Sequence, residues 1–161
     1  MLLVCTQGVY LIGMVVVSML LMKASEVAPK VLIVDDETLL LRTLSNAVRD
    51  AGYEVLPAGS ASDGEALLEG AGGVVDLMVL DVKLPDRSGL DLLQTQRERG
   101  YSGHVIVMTA FDNPESERRC RQLAVDHFLR KPFDLEAMLN LIRGLLGGSG
   151  SDQAVGGSRM N

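Results

Sequence analysis

The chain has 161 residues, enough for one domain, and its 47% apolar content is enough for one sizeable core. Its 15 Lys and Arg against 21 Asp and Glu leave a formal charge of -6, which argues against direct nucleic-acid binding because phosphate contacts need clustered cations. Cys5 and Cys120 are too few and too separated for a disulfide framework or a zinc site, and fit a reducing compartment. His104 and His127 lack metal-ligand spacing, and neither a P-loop nor a G-x-G-x-x-G match occurs.

Residues 1–22 carry no charged side chain and are almost continuously apolar from Val9 to Met22. As a helix they would extend about 33 Å, enough to cross a bilayer core of about 30 Å. Lys23 and Lys30 follow, so an anchor would leave the rest of the chain on the cytoplasmic side. The other reading is a mis-assigned start: Met14, Met19 and Met22 are alternative starts, and Met22-Lys-Ala-Ser-Glu would open a soluble protein naturally. A cleaved signal peptide fits less well, since no basic residue precedes the apolar run.

From Lys30 onward strand-like and helix-like segments alternate, which predicts βα units on a parallel sheet. Val31–Val34 reads as a short buried strand ending in Asp35-Asp36-Glu37. A helix follows with Leu40, Leu44, Ala47, Val48 and Ala51 on one face and Gly52 as its stop. Tyr53–Leu56 predicts the second strand; Ser62 and Glu65 match a capping box that opens the second helix, and Gly70–Gly73 ends it. Val74–Asp81 has six apolar residues in eight and predicts the central strand, with Val82–Gly89 as the loop beyond it.

Ser88 with Asp91 opens a third helix running to about Arg99, and His104–Thr109 is a fourth strand. Asn113 before Pro114 starts the fourth helix, and Asp126–Leu129 reads as a fifth, shorter strand. Asp134 caps the last helix, whose apolar stripe is Leu135, Met138, Leu139, Ile142 and Leu146. The predicted domain therefore spans residues 30–147, and the Gly/Ser-rich residues 148–161 read as a disordered tail or linker stub.

Four of the five strands end in reactive side chains: Asp35 and Asp36, Asp81, Thr109, and Lys131 just past the fifth. A parallel sheet brings such ends to one edge, where open α/β sheets place their chemistry. Taken singly, each has a bland reading, since acidic residues before a helix cap it and offset its dipole. Together, three carboxylates repel one another and would repel a phosphate, and a bound Mg²⁺ removes both problems. One carboxylate is then left as a nucleophile, two to hold the metal, and Thr109 and Lys131 to hold the oxygens of a transferring phosphoryl group.

With these motifs the chain resembles the receiver domain of bacterial two-component response regulators over about Lys30 to Leu146. The residues that carry the resemblance are Val31-Leu-Ile-Val-Asp-Asp-Glu37, Leu80-Asp-Val-Lys-Leu-Pro-Asp-Arg-Ser-Gly89, Val107-Met-Thr-Ala110 and Phe128-Leu-Arg-Lys-Pro-Phe133. The resemblance implies a flavodoxin-like three-layer α/β/α fold with a five-stranded parallel sheet in the order 2-1-3-4-5. It implies that Asp81 is the phosphoacceptor, that Asp35, Asp36 and Asp81 bind Mg²⁺ with the backbone carbonyl of Lys83, and that Thr109 and Lys131 contact the phosphoryl oxygens. Phe128 matches the switch aromatic that moves with Thr109, and the Lys131–Pro132 bond is expected to be cis.

The implied partners are a sensor histidine kinase or a histidine phosphotransfer protein and a downstream protein target. A phosphorylation-dependent homodimer is also implied, and a membrane only if residues 1–22 are an anchor. The implied role is a stand-alone cytoplasmic signalling protein rather than an enzyme. Two features depart from the family pattern. The usual Gly before the fifth strand falls at Leu123, and Lys83 places a bulky cation near the approach of hydrolytic water, where it would tune phosphoryl lifetime. The alternative reading is a pseudo-receiver acting as a phosphorylation-independent interaction module, against which the full set of Asp35, Asp36, Asp81, Thr109 and Lys131 argues. A flavodoxin fits poorly because acidic residues stand where it would cradle a phosphate. A phosphatase with an Asp nucleophile fits poorly because Lys83 stands where it would carry an acid.

Overall fold

In the computed structural model residues 28–72, 74–110 and 114–147 are described, so the apolar segment 1–22, the Asn113 cap and residues 148–161 lie outside them. Ten elements alternate: β1 (Lys30–Val34), α1 (Thr38–Asp50), β2 (Glu54–Ala58), α2 (Ala61–Gly70), β3 (Leu77–Asp81), α3 (Gly89–Glu98), β4 (His104–Thr109), α4 (Pro114–Gln122), β5 (His127–Arg130) and α5 (Leu135–Leu146). The five strands form one sheet in the order β2-β1-β3-β4-β5 with every pairing parallel. The predicted order is thus observed.

The period-two alternation of strand residues builds two cores, one on each face. Leu32, Val34, Met78, Leu80, Val105 and Val107 face α2, α3 and Cys120 of α4. Val31, Ile33, Leu77, Val79, Ile106 and Met108 face Leu44 and Val48 of α1 and Met138, Leu139 and Ile142 of α5. The three central strands are buried on both sides, which is why they read as unbroken apolar runs.

Several boundaries differ from the expected ones. β2 continues through Pro57, which this strand tolerates because it is at the edge of the described sheet, with no strand of the described residues on one side of its backbone. β3 begins at Leu77 rather than Val74. Asp76 instead fixes the start of β1, accepting from the Lys30 amide at 2.7 Å, and Val74 is left 63% exposed. The cap of α2 is Ser60, whose hydroxyl accepts from the Asp63 amide at 3.1 Å; Ser62 and Glu65 lie inside the helix and have other partners. Ser88 caps α3 by accepting from Leu90, and Asp134 caps α5 by accepting from Ala137, as its position predicts.

The turn after α4 corrects another expectation. Val125 donates to the Cys120 carbonyl and Ala124 to that of Arg121, the paired bonds of a Schellman ending. Its left-handed residue is Ala124, at φ 51°, so the conformation that favours Gly falls at Ala124 rather than at Leu123. After α1, α2 and α3 that conformation is taken by Gly52, Gly72 and Gly100. A Cβ in this region costs about 1–2 kcal/mol, part of which is offset by the smaller unfolded-state entropy of Ala. Ala124→Gly should therefore stabilise the fold by about 0.5–1 kcal/mol, read as a rise of a few degrees in the thermal midpoint. A lower midpoint would show that the turn is not strained.

Candidate functional site

The sheet register gathers the strand ends. Val34 is level with Leu80, Asp81 with Met108, and Thr109 with Arg130, so Asp35, Asp81, Thr109 and Lys131 emerge along one edge. The Asp35 amide is held by the Ala58 carbonyl at 3.1 Å and the Lys131 amide by that of Thr109 at 2.8 Å, which continues the ladders past their last strand residues.

Lys131 is the hub. Its ammonium donates to Asp35 Oδ2 at 2.7 Å, Asp81 Oδ2 at 2.5 Å and Glu37 Oε1 at 3.2 Å. The remaining carboxylate oxygens are used as well: Asp35 Oδ1 accepts from the Glu37 amide at 2.8 Å and Asp81 Oδ1 from the Lys83 amide at 3.0 Å. Asp35 is fully buried and Asp81 nearly so, whereas Asp36 is exposed at the mouth. Burial pushes the Asp35 carboxyl above the usual carboxylate range, although Lys131 and the Glu37 amide pull the other way. Burial pulls the Lys131 ammonium down, but its bonds to Asp35 and Asp81 outweigh this and hold it above its ordinary value, so it stays charged.

Carboxylate oxygens of Asp35, Asp36 and Asp81 all lie within 4.8 Å of one another. An octahedral Mg²⁺ with oxygens at about 2.0–2.1 Å spans about 4.2 Å corner to corner, so this all-oxygen set fits the ion in donor type and spacing. The Lys83 carbonyl belongs to the loop that follows. That loop is closed at its base by the Gly89 amide on the Val82 carbonyl at 3.0 Å and by a Lys83–Ser88 bridge. Only glycine fits at position 89, where a Cβ would stand 2.0 Å from the Asp81 carbonyl oxygen.

Thr109 is buried at the end of β4, and a cleft of about 410 Å³ beside it is lined by Lys83, Leu84, Ser88, Thr109 and Ser116. Phe128 lies level with Val107 on β5, half-buried against the α2–α3–α4 core, with Lys131 following over the cis bond to Pro132. Every residue expected at the site is thus near the edge, with Phe128 one layer behind it. Glu37 was not expected as a contact of Lys131, though its place as the last acid of the run after β1 marks it. Both histidines begin strands, away from the acidic edge: His104 starts β4 and pairs with Asp126 at 3.2 Å, and His127 starts β5.

Comparison with known proteins agrees with this geometry. The family model of the response regulator receiver domain matches residues 31–143. The chain is similar to the transcriptional regulatory protein CiaR of Streptococcus pneumoniae, with 36% identity over 122 residues that cover 75% of this chain and 53% of CiaR. It is similar to BasR of Escherichia coli, with 38% identity over 117 residues, 73% of this chain and 52% of BasR. The chain spans about half the length of the curated relatives it matches. Among solved structures, the non-phosphorylated HemR receiver domain of Leptospira biflexa superposes with a TM-score of 0.69 at 27% identity, covering 78% of this chain and 99% of that one. The chain belongs to the response regulator receiver domain family, a signalling family of flavodoxin-like fold. No helix among the described residues is long and apolar enough to cross a membrane.

Proposed function

We propose that residues 30–147 act as a phosphorylation-driven switch in which Asp81 accepts a phosphoryl group from the phosphohistidine of a sensor kinase or phosphotransfer protein. The observation that carries this reading is the set of three carboxylates within 4.8 Å of one another, with Lys131 bonded to two of them, Asp35 and Asp81. An Asp81 oxygen attacks phosphorus; the new O–P bond forms as the N–P bond breaks, and the electron pair of that bond stays on the imidazole nitrogen. Asp35, Asp36, Asp81 and the Lys83 carbonyl would hold Mg²⁺, which when bound neutralises charge on the phosphoryl oxygens. Lys131 supplies the protein's own positive charge there, and Thr109 a hydroxyl.

The aspartyl phosphate adds a charge of about -1.5 to -2 and three acceptor oxygens. Thr109 turns toward them, Phe128 moves into the space released, and α4, β5 and α5 present the altered face to a target protein or to a second copy of the chain. Inverting a largely inactive population takes about 5 kcal/mol of differential stabilisation, which a few charge-assisted hydrogen bonds can supply. The reading places the domain in the cytoplasm, as a signalling component whose only chemistry on its own is phosphoryl uptake from small donors and its hydrolysis.

Intact mass spectrometry after incubation with acetyl phosphate and Mg²⁺ tests it. One added phosphoryl group, absent when EDTA is present, is the expected result; no adduct in folded protein would favour the phosphorylation-independent module. Lys83 is exposed at the rim of the site, and on this reading its side chain hinders the approach of hydrolytic water. Lys83→Asn should lose its phosphoryl group about fivefold faster, a difference of about 1 kcal/mol in barrier. Equal decay rates would make Lys83 a solvated surface residue.

A further inference from the structure

The loop from Val82 to Ser88 is held at its tip as well as at its base. The Asp86 carboxylate lies on the N-terminus of α2: Oδ1 accepts from the Ala61 amide at 3.0 Å, and Oδ2 from the Ser62 amide at 2.8 Å and the Ser62 hydroxyl at 2.7 Å. A helix leaves its first amides without internal partners and its dipole positive there, so an anion at this point meets both needs. Ser60 serves the Asp63 amide and leaves those of Ala61 and Ser62 to Asp86. The neighbouring Arg87 pairs with Glu65 on α2, and Glu65 also accepts from Arg99 after α3 at 2.7 Å. Loop, α2 and the end of α3 are thereby tied together.

We infer that Asp86 is a positioning residue for the metal site: by fixing the loop tip to α2, it sets where the Lys83 carbonyl is presented beside Asp81. The role rests on the Mg²⁺-dependent reading above. Between the base, which includes the Lys83–Ser88 bridge, and the tip lie Leu84 and Pro85, and the Lys83 amide is already on Asp81 Oδ1 at 3.0 Å. With both ends fixed, the peptide after Lys83 has little freedom to turn its carbonyl away. With Asp86 released, the base and the Arg87–Glu65 pair on the far side of the tip are the restraints left. Bonds from the Ser62 hydroxyl and the two amides hold the Asp86 carboxyl well below the usual carboxylate range, so the anchor stays charged.

The test compares wild type, Asp86→Ala, Asp86→Asn and Ser60→Ala. Amide order parameters of residues 83, 84 and 86–88 are measured without metal; Mg²⁺ affinity and the rate of uptake from acetyl phosphate follow. In Asp86→Ala the order parameters should fall from about 0.85 to below about 0.6. Its Mg²⁺ Kd should rise about tenfold, as for loss of a group that orients a ligand, while uptake at saturating Mg²⁺ stays within about twofold of wild type. Asp86→Asn keeps an acceptor oxygen and should lie between the two. Ser60→Ala weakens the same helix end without touching the loop and should leave the Kd unchanged. A Kd for Asp86→Ala within about twofold of wild type, or an equal rise in Ser60→Ala, overturns the positioning role. A wild type that neither binds Mg²⁺ nor gains a phosphoryl group instead overturns the switch reading, and the positioning role with it.

Discussion

Asp81→Asn should gain no phosphoryl group from acetyl phosphate and Mg²⁺ under conditions that load the wild type fully. The substitution keeps size and shape, but its one oxygen can replace only one of the two acceptors now in use, Oδ1 for the Lys83 amide and Oδ2 for the Lys131 ammonium. What disappears is the anionic nucleophile, together with one of three carboxylates in the cluster. Mg²⁺ affinity should fall by about tenfold or more, since a neutral amide is a weaker ligand for a hard cation. Intact mass separates Asp81 from its neighbours, because Asp35 and Asp36 remain in the variant. An adduct of wild-type stoichiometry in Asp81→Asn would place the acceptor elsewhere.

Lys131→Ala should be the most destabilising change at the site, costing about 3 kcal/mol at pH 7 when metal is chelated. Its side chain is 9% exposed and bonds Asp35 and Asp81, whose side chains are 0% and 8% exposed. Removing it leaves two enclosed carboxylates without their cation, a larger penalty than the pair's net contribution. The cost should also depend on pH. Burial already holds the Asp35 carboxyl above its ordinary value, and losing Lys131 raises it further. For a group whose folded-state pKa is raised, the stability it contributes is present below the unfolded value and is lost as pH rises through the folded one. The deficit of Lys131→Ala should therefore be smaller at pH 5 than at pH 7. Saturating Mg²⁺ brings positive charge to the same oxygens and should narrow it too. Urea unfolding at both pH values, with EDTA and with Mg²⁺, measures all three. A deficit that ignores pH and Mg²⁺ would mean that the loss is the packing of the lysine stem alone.

Much of this molecule is legible in its residue order. The runs Val31–Val34, Leu77–Leu80 and Val105–Met108 are apolar because both sheet faces are covered, and each is followed by a reactive side chain. Parallel topology then needs no further information to bring Asp35, Asp81, Thr109 and Lys131 to one edge. The caps at Ser88 and Asp134 were legible for the same reason: their partners lie two or three residues away.

What escaped the sequence depends on contacts between distant segments or on conformation without a residue signature. Ala124 carries no mark of the left-handed turn it occupies, because Gly is the usual sign of that conformation and is absent. Val74 looks like strand, but the ladder starts only where Leu77 meets Val31 and His104. Ser62 and Glu65 satisfy a local capping pattern, yet tertiary contacts give them to Asp86 and Arg87, more than twenty residues along the chain. Local periodicity and strand-end chemistry thus determined the fold class and the acidic edge. Only docking of the β3–α3 loop on α2 decided how that edge is held, because the energy of that contact comes from a helix end and a carboxylate meeting across the fold.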